Sequence, residues 1–510
     1  MMKNISRRNL LKRSAYAGAA AGLYSPFSRA AILVPTRRSS SKAVVIGSGF
    51  GGSVATLRLA SAGIAVALIE RGRDWTYKGE DTFPTLFGGG EGIGWREPTQ
   101  LVPGATGLIQ EYIDSTMTVG CGAGLGGGSL VYGGVLLQPR REIFEQALPK
   151  LSYDDMDSKY YPRVLSRVSG GPIPDDILNT PNYTSMRVFI DNATRAGLDV
   201  VRSEVGFNWN IIREEIQGKR TAFAPVGEWV LGCNSGAKNT LDRNYITEAK
   251  ATGNVEIHTL HNVATIRRRR WSNTFEVHCE VLNQAGFILA NHIIECQYLF
   301  VAAGSINTTK LLLKARALGD LPTVNDQVGE AWGTNGDELM GRDGVTASLG
   351  AVQGGPPSIA AFDLQNSIKP TGMMHSPTPA NKESEQLQMA MCIPDQTSRV
   401  TYNALTDRIQ LNWSRDANSA SHQAIVESQN KLLAVGGGSL IDESKLGTWH
   451  PVGGAAMGVA CSYEGELYGT PNLFVVDGAT IPGSAGAANP SLTIGANAER
   501  IMESLVPRLS

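Results

Sequence analysis

The chain has 510 residues, 42% of them hydrophobic and 18% charged, with 46 Lys and Arg set against 47 Asp and Glu. That length exceeds one compact core and points to roughly two or three domains. The formal net charge of −1 gives no electrostatic reason to expect nucleic acid or an anionic membrane as a partner.

Residues 1–30 read as an export address. Ser6-Arg7-Arg8-Asn9-Leu10-Leu11-Lys12 resembles the twin-arginine consensus, a mildly apolar segment runs from Ala15 to Leu23, and Ser28-Arg29-Ala30 forms a small-x-small cleavage site. The expectation is a bacterial protein passed to the twin-arginine export machinery and found in the periplasm or secreted. The alternative is a basic amphipathic N-terminus that stays in the cytoplasm. Beyond residue 30, no uninterrupted apolar run approaches the ~20 residues of a membrane span. No transmembrane anchor is expected, which leaves transient contact with a membrane surface as the only membrane role. The six cysteines (Cys121, Cys233, Cys279, Cys296, Cys392, Cys461) lack C-x-x-C pairing and regular spacing. They suggest neither a disulfide framework nor a metal site, and no metal is expected.

After a polar linker over 31–42, Ala43-Val44-Val45-Ile46 leads into Gly47-x-Gly49-Phe50-Gly51-Gly52, an Ala/Leu-rich helical pattern to Ala62, and a second apolar run from Ile64 to Ile69 that ends on Glu70. This order is strand, tight turn, helix, strand, acid. The glycines turn the chain, bring backbone N–H groups to a pyrophosphate and let helix and strand pack closely; Glu70 is placed to accept from a ribose diol. The stretch is read as a dinucleotide grip, with a glycine turn used only for packing as the alternative. Residues 74–103, with Gly88-Gly89-Gly90, read as a loop or lid. Val119 to Gly134 holds eight glycines, including Gly127, Gly128 and Gly133 beside Ser129. Such a tract is too costly in entropy for a helix or ordinary strand, and it suits a backbone pressed against a large flat cofactor better than it suits a linker. Residues 154–238 mix helices with aromatic-containing strands and read as part of an inserted second domain. Val255–Ile266, with Val263, and Phe275–Val281 read as strands, and the basic run Arg267 to Arg270 marks a strand end or a solvated turn. Cys296–Val301 is another apolar strand, closing on Ala303-Gly304-Ser305 before a helical run from Thr308 to Ala317. Residues 320–449 form the larger part of the second domain, with short strands at Arg399–Tyr402 and Arg408–Trp413.

The chemistry gathers at the C-terminal end. Trp449-His450-Pro451-Val452-Gly453-Gly454 fixes a histidine in a turn, Leu473–Val476 runs into Asp477-Gly478, and Asn489-Pro490 opens a helix over Ser491–Met502.

Taken together, Gly47–Gly52 with Glu70, the Gly122–Gly134 tract, Ala303-Gly304-Ser305, His450-Pro451, Asp477-Gly478 and Asn489-Pro490 resemble the glucose–methanol–choline flavoprotein family, and within it the bacterial sterol-oxidising branch. The similarity runs from about residue 42 to the end and includes Leu411-Asn412-Trp413-Ser414-Arg415-Asp416. It implies an α/β fold, α+β over the whole chain: a Rossmann-like FAD domain from discontinuous segments (42–155, 239–318 and 450–510) and a substrate domain with an antiparallel sheet (156–238 and 319–449). It further implies non-covalent FAD, a cofactor that suits export of a folded, loaded protein. By position, Gly47, Gly49, Phe50, Gly51, Gly52, Glu70, Gly127, Gly128, Ser129, Gly133, Val263, Gly304, Asp477 and Gly478 would hold FAD. His450 would take part in removing the hydroxyl proton, and Asn489 would stand by the flavin. The expected reaction is oxidation of a hydrophobic secondary alcohol, a steroid 3-hydroxyl in particular, with O2 as acceptor. Two alternatives stay open: a dehydrogenase of another alcohol serving a periplasmic acceptor, and a flavin-binding protein without turnover. The chain departs from the sterol enzymes at two places. Ile368–Met373 lacks their isomerising glutamate, Glu383 and Glu385 being the nearest acids, and Tyr132 replaces an asparagine near the flavin.

Overall fold

The computed structural model describes residues 34–79, 82–85, 94–97, 106–269, 272–444 and 447–509. The export segment at 1–30 and the Gly88–Gly90 triplet lie outside the described residues.

β1 (Thr36–Ile46) starts within the stretch read above as a linker, because Thr36–Ser41 already pair with the strand that ends at Val301. The sequence conceals this half of β1, which is largely exposed and polar; only Ala43–Ile46 is buried. Then come α1 (Phe50–Ser61) and β2 (Val66–Ile69). The glycine tract also differs from expectation at its start: β4 (Thr118–Gly122) pairs antiparallel with β3 (Ile109–Ile113). Ladder hydrogen bonds to β3 offset the glycine entropy cost there, and the tract turns irregular at Ala123. The chain continues through β5 (Asp199–Arg202), α2 (Tyr245–Ala251), β6 (Val255–His258), β7 (His261–Arg268), β8 (Phe275–Leu282), β9 (Ile288–Val301) and α3 (Ser305–Ala317). It is completed by β10 (Glu338–Asp343), β11 (Ile359–Asp363), β12 (Thr371–His375), β13 (Gln386–Cys392), α4 (Ser419–Gly436), β14 (Ser439–Asp442), β15 (Leu473–Val475) and α5 (Pro490–Leu509).

The fold is α/β, organised on two large sheets. The first has seven strands in the order β7-β8-β9-β1-β2-β6, with β15 beside β9. β6, β2, β1, β9 and β15 run parallel, and burial on both faces is confined to the middle of this group, Ala43–Ile46, Val66–Ile69, Leu299–Val301 and Leu473–Val475. Ala43, Val45 and Leu68 face α1, α2 and α5; Val44, Ile46, Ala67 and Ile69 face the antiparallel meander β7-β8-β9 through Phe275, Val277 and Ile294. The N–H groups of Leu260 and His261 donate to the carbonyls of Gly72 and Glu70, so the meander curls back to the end of β2. Arg267 and Arg269 at its far end pair with Asp320 and Glu295, which accounts for those two members of the basic run.

The second sheet has six strands in the order β14-β10-β13-β12-β11-β5, all antiparallel. Alternation gives it two apolar faces: Ile359, Ala361, Met373 and Ala390 pack under helices, whereas Ala360, Phe362, Met374 and Met391 gather with Ala487 and Ala488 beside Asn489. All six cysteines are free thiols. Among the described residues no helix is long and apolar enough to cross a membrane.

His375, at the end of β12, is fully buried, contacts Ser185 Oγ through Nε2 at 3.0 Å and stacks on Phe189. Burial, with a smaller contribution from the Arg342 charge, pushes it down to about 3. The unfolded chain therefore takes the proton first as pH falls below the ordinary value of about 6.5. The stability that the neutral ring contributes is complete above that pH and is lost progressively towards pH 3, by up to roughly 1.4 kcal/mol per pH unit. His258, His261, His278 and His292 are lowered by burial too and add to the slope, so in thermal unfolding from pH 7 to 4.5 a His375→Gln variant should show a slope that is shallower by this one ring's share.

Candidate active site

The first turn is closed by contacts that only glycine permits. Gly47 has φ +96°, and a Cβ there would lie 2.3 Å from the Ala302 carbonyl oxygen. A Cβ on Gly51 would lie 2.1 Å from the Val476 carbonyl oxygen, and one on Gly52 would lie 1.9 Å from that of Gly47. These two glycines seat α1 against β15 and the turn. Gly49 is different: at φ −69° its Cβ would meet nothing within 4 Å. Gly128 and Gly304 face open space in the same way, and Gly304 begins α3. The glycine tract lies directly on the turn, since a Cβ on Gly127 would come 2.6 Å from Gly49 Cα. Phe50 is buried, its ring tilted against Tyr132 at 5.8 Å.

Glu70 ties these parts together. Its carboxylate accepts from Ser48 N–H (3.2 Å), Ser48 Oγ–H (2.6 Å), Gly72 N–H (2.8 Å) and Gly124 N–H (3.3 Å). Ser129 donates to the Gly126 carbonyl and accepts from Leu241 N–H, so its hydroxyl braces the tract. Gly133 faces Trp229 and Pro357 rather than open space. Val263 lies on β7 two residues past the contact with Glu70, beside a bulge that leaves Ala264 out of the ladder. Asp477 accepts from Gly304 N–H (2.7 Å), Thr308 Oγ–H (2.6 Å) and Ala479 N–H (2.9 Å). Burial raises its pKa, against the pull of those bonds. Gly478 accepts from Gly453 N–H, and Ser305 Oγ donates to the Gly453 carbonyl, which anchors the histidine turn to the α3 end of the turn cluster.

At the other end of the site, Asn489 Nδ2 lies 3.2 Å from His450 Nε2, and His450 Nδ1 lies 3.0 Å from Asp337 Oδ2. The latter contact is close enough for an ion pair but is not aligned as a hydrogen bond, so His450 Nδ1, Asp337 Oδ1 and Asn489 Oδ1 are all without a hydrogen-bond partner. The Asp337 side chain is 1% exposed. Asn335 fixes the neighbouring loop by donating to the Ala488 carbonyl and accepting from Ala485 N–H. Trp449 lies over Gly120, where a Cβ would be 2.6 Å from the indole, and is 43% exposed.

The GMC oxidoreductase family profile matches residues 41–331 with its N-terminal part and 394–498 with its C-terminal part. The chain is a GMC oxidoreductase. It is 25% identical to a cholesterol oxidase of Mycobacterium tuberculosis, over 90% of this chain and 89% of that one. The fold is shared with a fungal aryl-alcohol oxidase (TM-score 0.64, 14% identity, 92% of this chain and 100% of that one). It is also shared with the Aspergillus oryzae formate oxidase studied for FAD modification (TM-score 0.61, 13% identity, 92% and 99%). As a GMC oxidoreductase, the protein is an FAD-dependent enzyme acting on alcohol-type donors, with a small-molecule substrate and an electron acceptor.

The residues present fit FAD. Gly49, Gly128 and Gly304 leave open space where Cβ atoms would stand, next to the N-terminal ends of α1 and α3, which favour phosphate. The buried, unpartnered Asn489 Oδ1 marks a missing partner at the other end. Asp337 was not singled out in the sequence, nor was Lys238. Lys238 is buried beneath the tract, donates to the Leu130 carbonyl at 3.2 Å, and is pushed down to about 7 by burial.

Proposed function

We propose that the enzyme oxidises the secondary hydroxyl of a hydrophobic, sterol-like alcohol, with O2 as acceptor, after export by the twin-arginine route. The observation that carries the reading is the position of His450. It is pinned between Asp337 and Asn489, beside Ala487 and Ala488, which pack into the apolar face of Ala360, Phe362, Met374 and Met391. Exposed Trp449 adjoins it, an apolar contact for a greasy substrate at the rim. The similarity to cholesterol oxidases supports the same substrate class.

Bound FAD would supply the acceptor for the hydride that leaves the carbinol carbon. The protein supplies what that transfer needs, namely a group to receive the hydroxyl proton. With the Nδ1 proton turned toward Asp337, the Nε2 lone pair faces Asn489 Nδ2–H, and the substrate hydroxyl would take the place of that amide donor at Nε2. Asp337 stabilises the imidazolium that forms. The Glu70 carboxylate, filled by four protein donors, would hold a ribose hydroxyl of the cofactor by giving up one of them, Ser48 Oγ being the freest to turn.

Oxidation is read as uncoupled from isomerisation. β12 contributes no acid, Glu383 is exposed, and Glu385 pairs with Lys382 at 2.8 Å. Glu385 lies just before β13, six residues and about 20 Å along the strand direction from Met391. Anaerobic mixing with a panel of 3-hydroxysteroids should bleach the flavin, and air should then yield peroxide with a ketone whose double bond has not moved. A conjugated enone would overturn the uncoupled reading, and dye reduction without peroxide would assign a different acceptor. For export, replacing Arg7 and Arg8 together by Lys should retain the protein in the cytoplasm.

A further inference from the structure

A second cluster of side chains lies away from the alcohol site, between the parallel strands and the meander. His258 ends β6, His261 begins β7 and His292 lies on β9; they are 7%, 6% and 2% exposed. Their rings pack at centroid separations of 5.1, 5.2 and 5.5 Å, and one ring nitrogen from each lies within 4.8 Å of the other two. The curl of the meander makes this meeting, since His258 shares its register row with Ile69 while His292 pairs with Arg37 near the start of β1.

The hydrogen bonding leaves the inward nitrogens ready to coordinate. His261 Nδ1 contacts the Thr259 carbonyl at 2.7 Å, which holds Nε2 as the lone-pair nitrogen and orients the ring as backbone carbonyls do for metal-bound histidines. His292 Nε2 meets Ser39 Oγ at 2.8 Å, leaving Nδ1 buried and unpartnered. His258 Nε2 has no hydrogen bond either; Glu256 Oε1 lies 3.4 Å from it. Burial lowers the pKa of all three rings, that of His292 to about 4, so they are neutral at physiological pH, the form that binds metal. One cation already faces the cluster: Arg37 Nη2 lies 2.9 Å from His261 Nε2. Arg37 is on the exposed half of β1, so its guanidinium can withdraw into water.

We propose that His258, His261 and His292 form a three-histidine site for a borderline transition-metal ion of the Zn2+ or Co2+ type, with Arg37 as the displaceable cation that fills it otherwise. Tetrahedral coordination at about 2.0–2.1 Å sets the nitrogens about 3.3 Å apart, so they approach by up to about 1.5 Å once Arg37 leaves. The role is structural. Glu70 N–H donates to the His258 carbonyl and His261 N–H to the Glu70 carbonyl, so an ion here would pin the meander to the strand end that carries Glu70. The inference does not depend on the substrate reading.

The test uses untagged, FAD-loaded protein stripped with chelator, incubated with Co2+ or Zn2+, desalted and analysed for metal per chain. The expected result is one ion per chain, with a rise of several degrees in unfolding temperature and an unchanged flavin spectrum. His292→Ala should lose the ion. Arg37→Gln, a change at an exposed strand residue, should bind at least tenfold more tightly. Retention equal in the parent and His292→Ala would overturn the proposal, as would an Arg37→Gln protein that binds no more tightly than the parent.

Discussion

Replacing His450 by Ala should lower the rate of flavin reduction by the alcohol on the order of a hundredfold or more, while the protein still purifies yellow. The size follows from the role: a positioned base contributes about 10²–10⁴-fold, because hydride cannot leave the carbinol carbon while the O–H proton stays in place. The side chain is 17% exposed and sits in a turn held by backbone bonds of Gly333 and Val452, so the fold should survive its truncation. Asp337→Asn separates base from orienter. It removes the charge facing Nδ1 and leaves the Nε2 contact with Asn489, so the expected loss is smaller, on the order of tenfold in the reduction step, with flavin content unchanged. Stopped-flow anaerobic reduction reads both. Unchanged reduction in His450→Ala would remove it from the mechanism and leave Asp337 without a function there.

How far the sequence could be read depended on how local each requirement is. The glycines of the first turn were legible because the turn is a local motif between a strand and a helix: Gly52 answers to the Gly47 carbonyl five residues back, although Gly47 and Gly51 themselves meet the distant Ala302 and Val476. Asp477 and Asn489 were legible as strand and helix ends. Asp337 was not, since it lies 112 residues before Trp449 in a loop feeding the other sheet, and it reaches His450 through long-range links, the Gly333–Val452 bridge and the bonds from Thr448 Oγ1 to the Thr334 carbonyl and from Trp449 N–H to Asp337. The first half of β1 was hidden for a different reason: an exposed strand carries no alternating pattern, so Arg37, Arg38 and the serines looked like linker. The histidine cluster combines both effects. His258-x-x-His261 was in plain view, but its third member arrives through the curl of the meander, which no local pattern announces.

The glycines at the first turn also yield a sharp contrast between folding and cofactor binding. Gly51→Ala forces a Cβ to 2.1 Å from the Val476 carbonyl oxygen, a backbone atom that cannot step aside without moving β15 off α1. Such overpacking should cost about 1–3 kcal/mol or more, and the protein should be recovered poorly or with a lowered unfolding temperature whether or not flavin is supplied. Gly49→Ala meets no protein atom within 4 Å and asks for an ordinary φ of −69°. If the open space above Gly49 and Gly128 holds FAD, an alanine at either position collides with the cofactor alone. The apoprotein should then unfold at the parental temperature, or slightly above it because alanine restricts the unfolded chain. Its flavin affinity should fall at least tenfold, about 1.4 kcal/mol. Titrating FAD into apoprotein and following the unfolding temperature measures both quantities on one sample. Parental affinity in Gly49→Ala and Gly128→Ala would place the cofactor away from this cradle. Affinity loss confined to those two, with instability confined to Gly51→Ala, would assign the open glycines to FAD and the crowded one to packing α1 on the sheet.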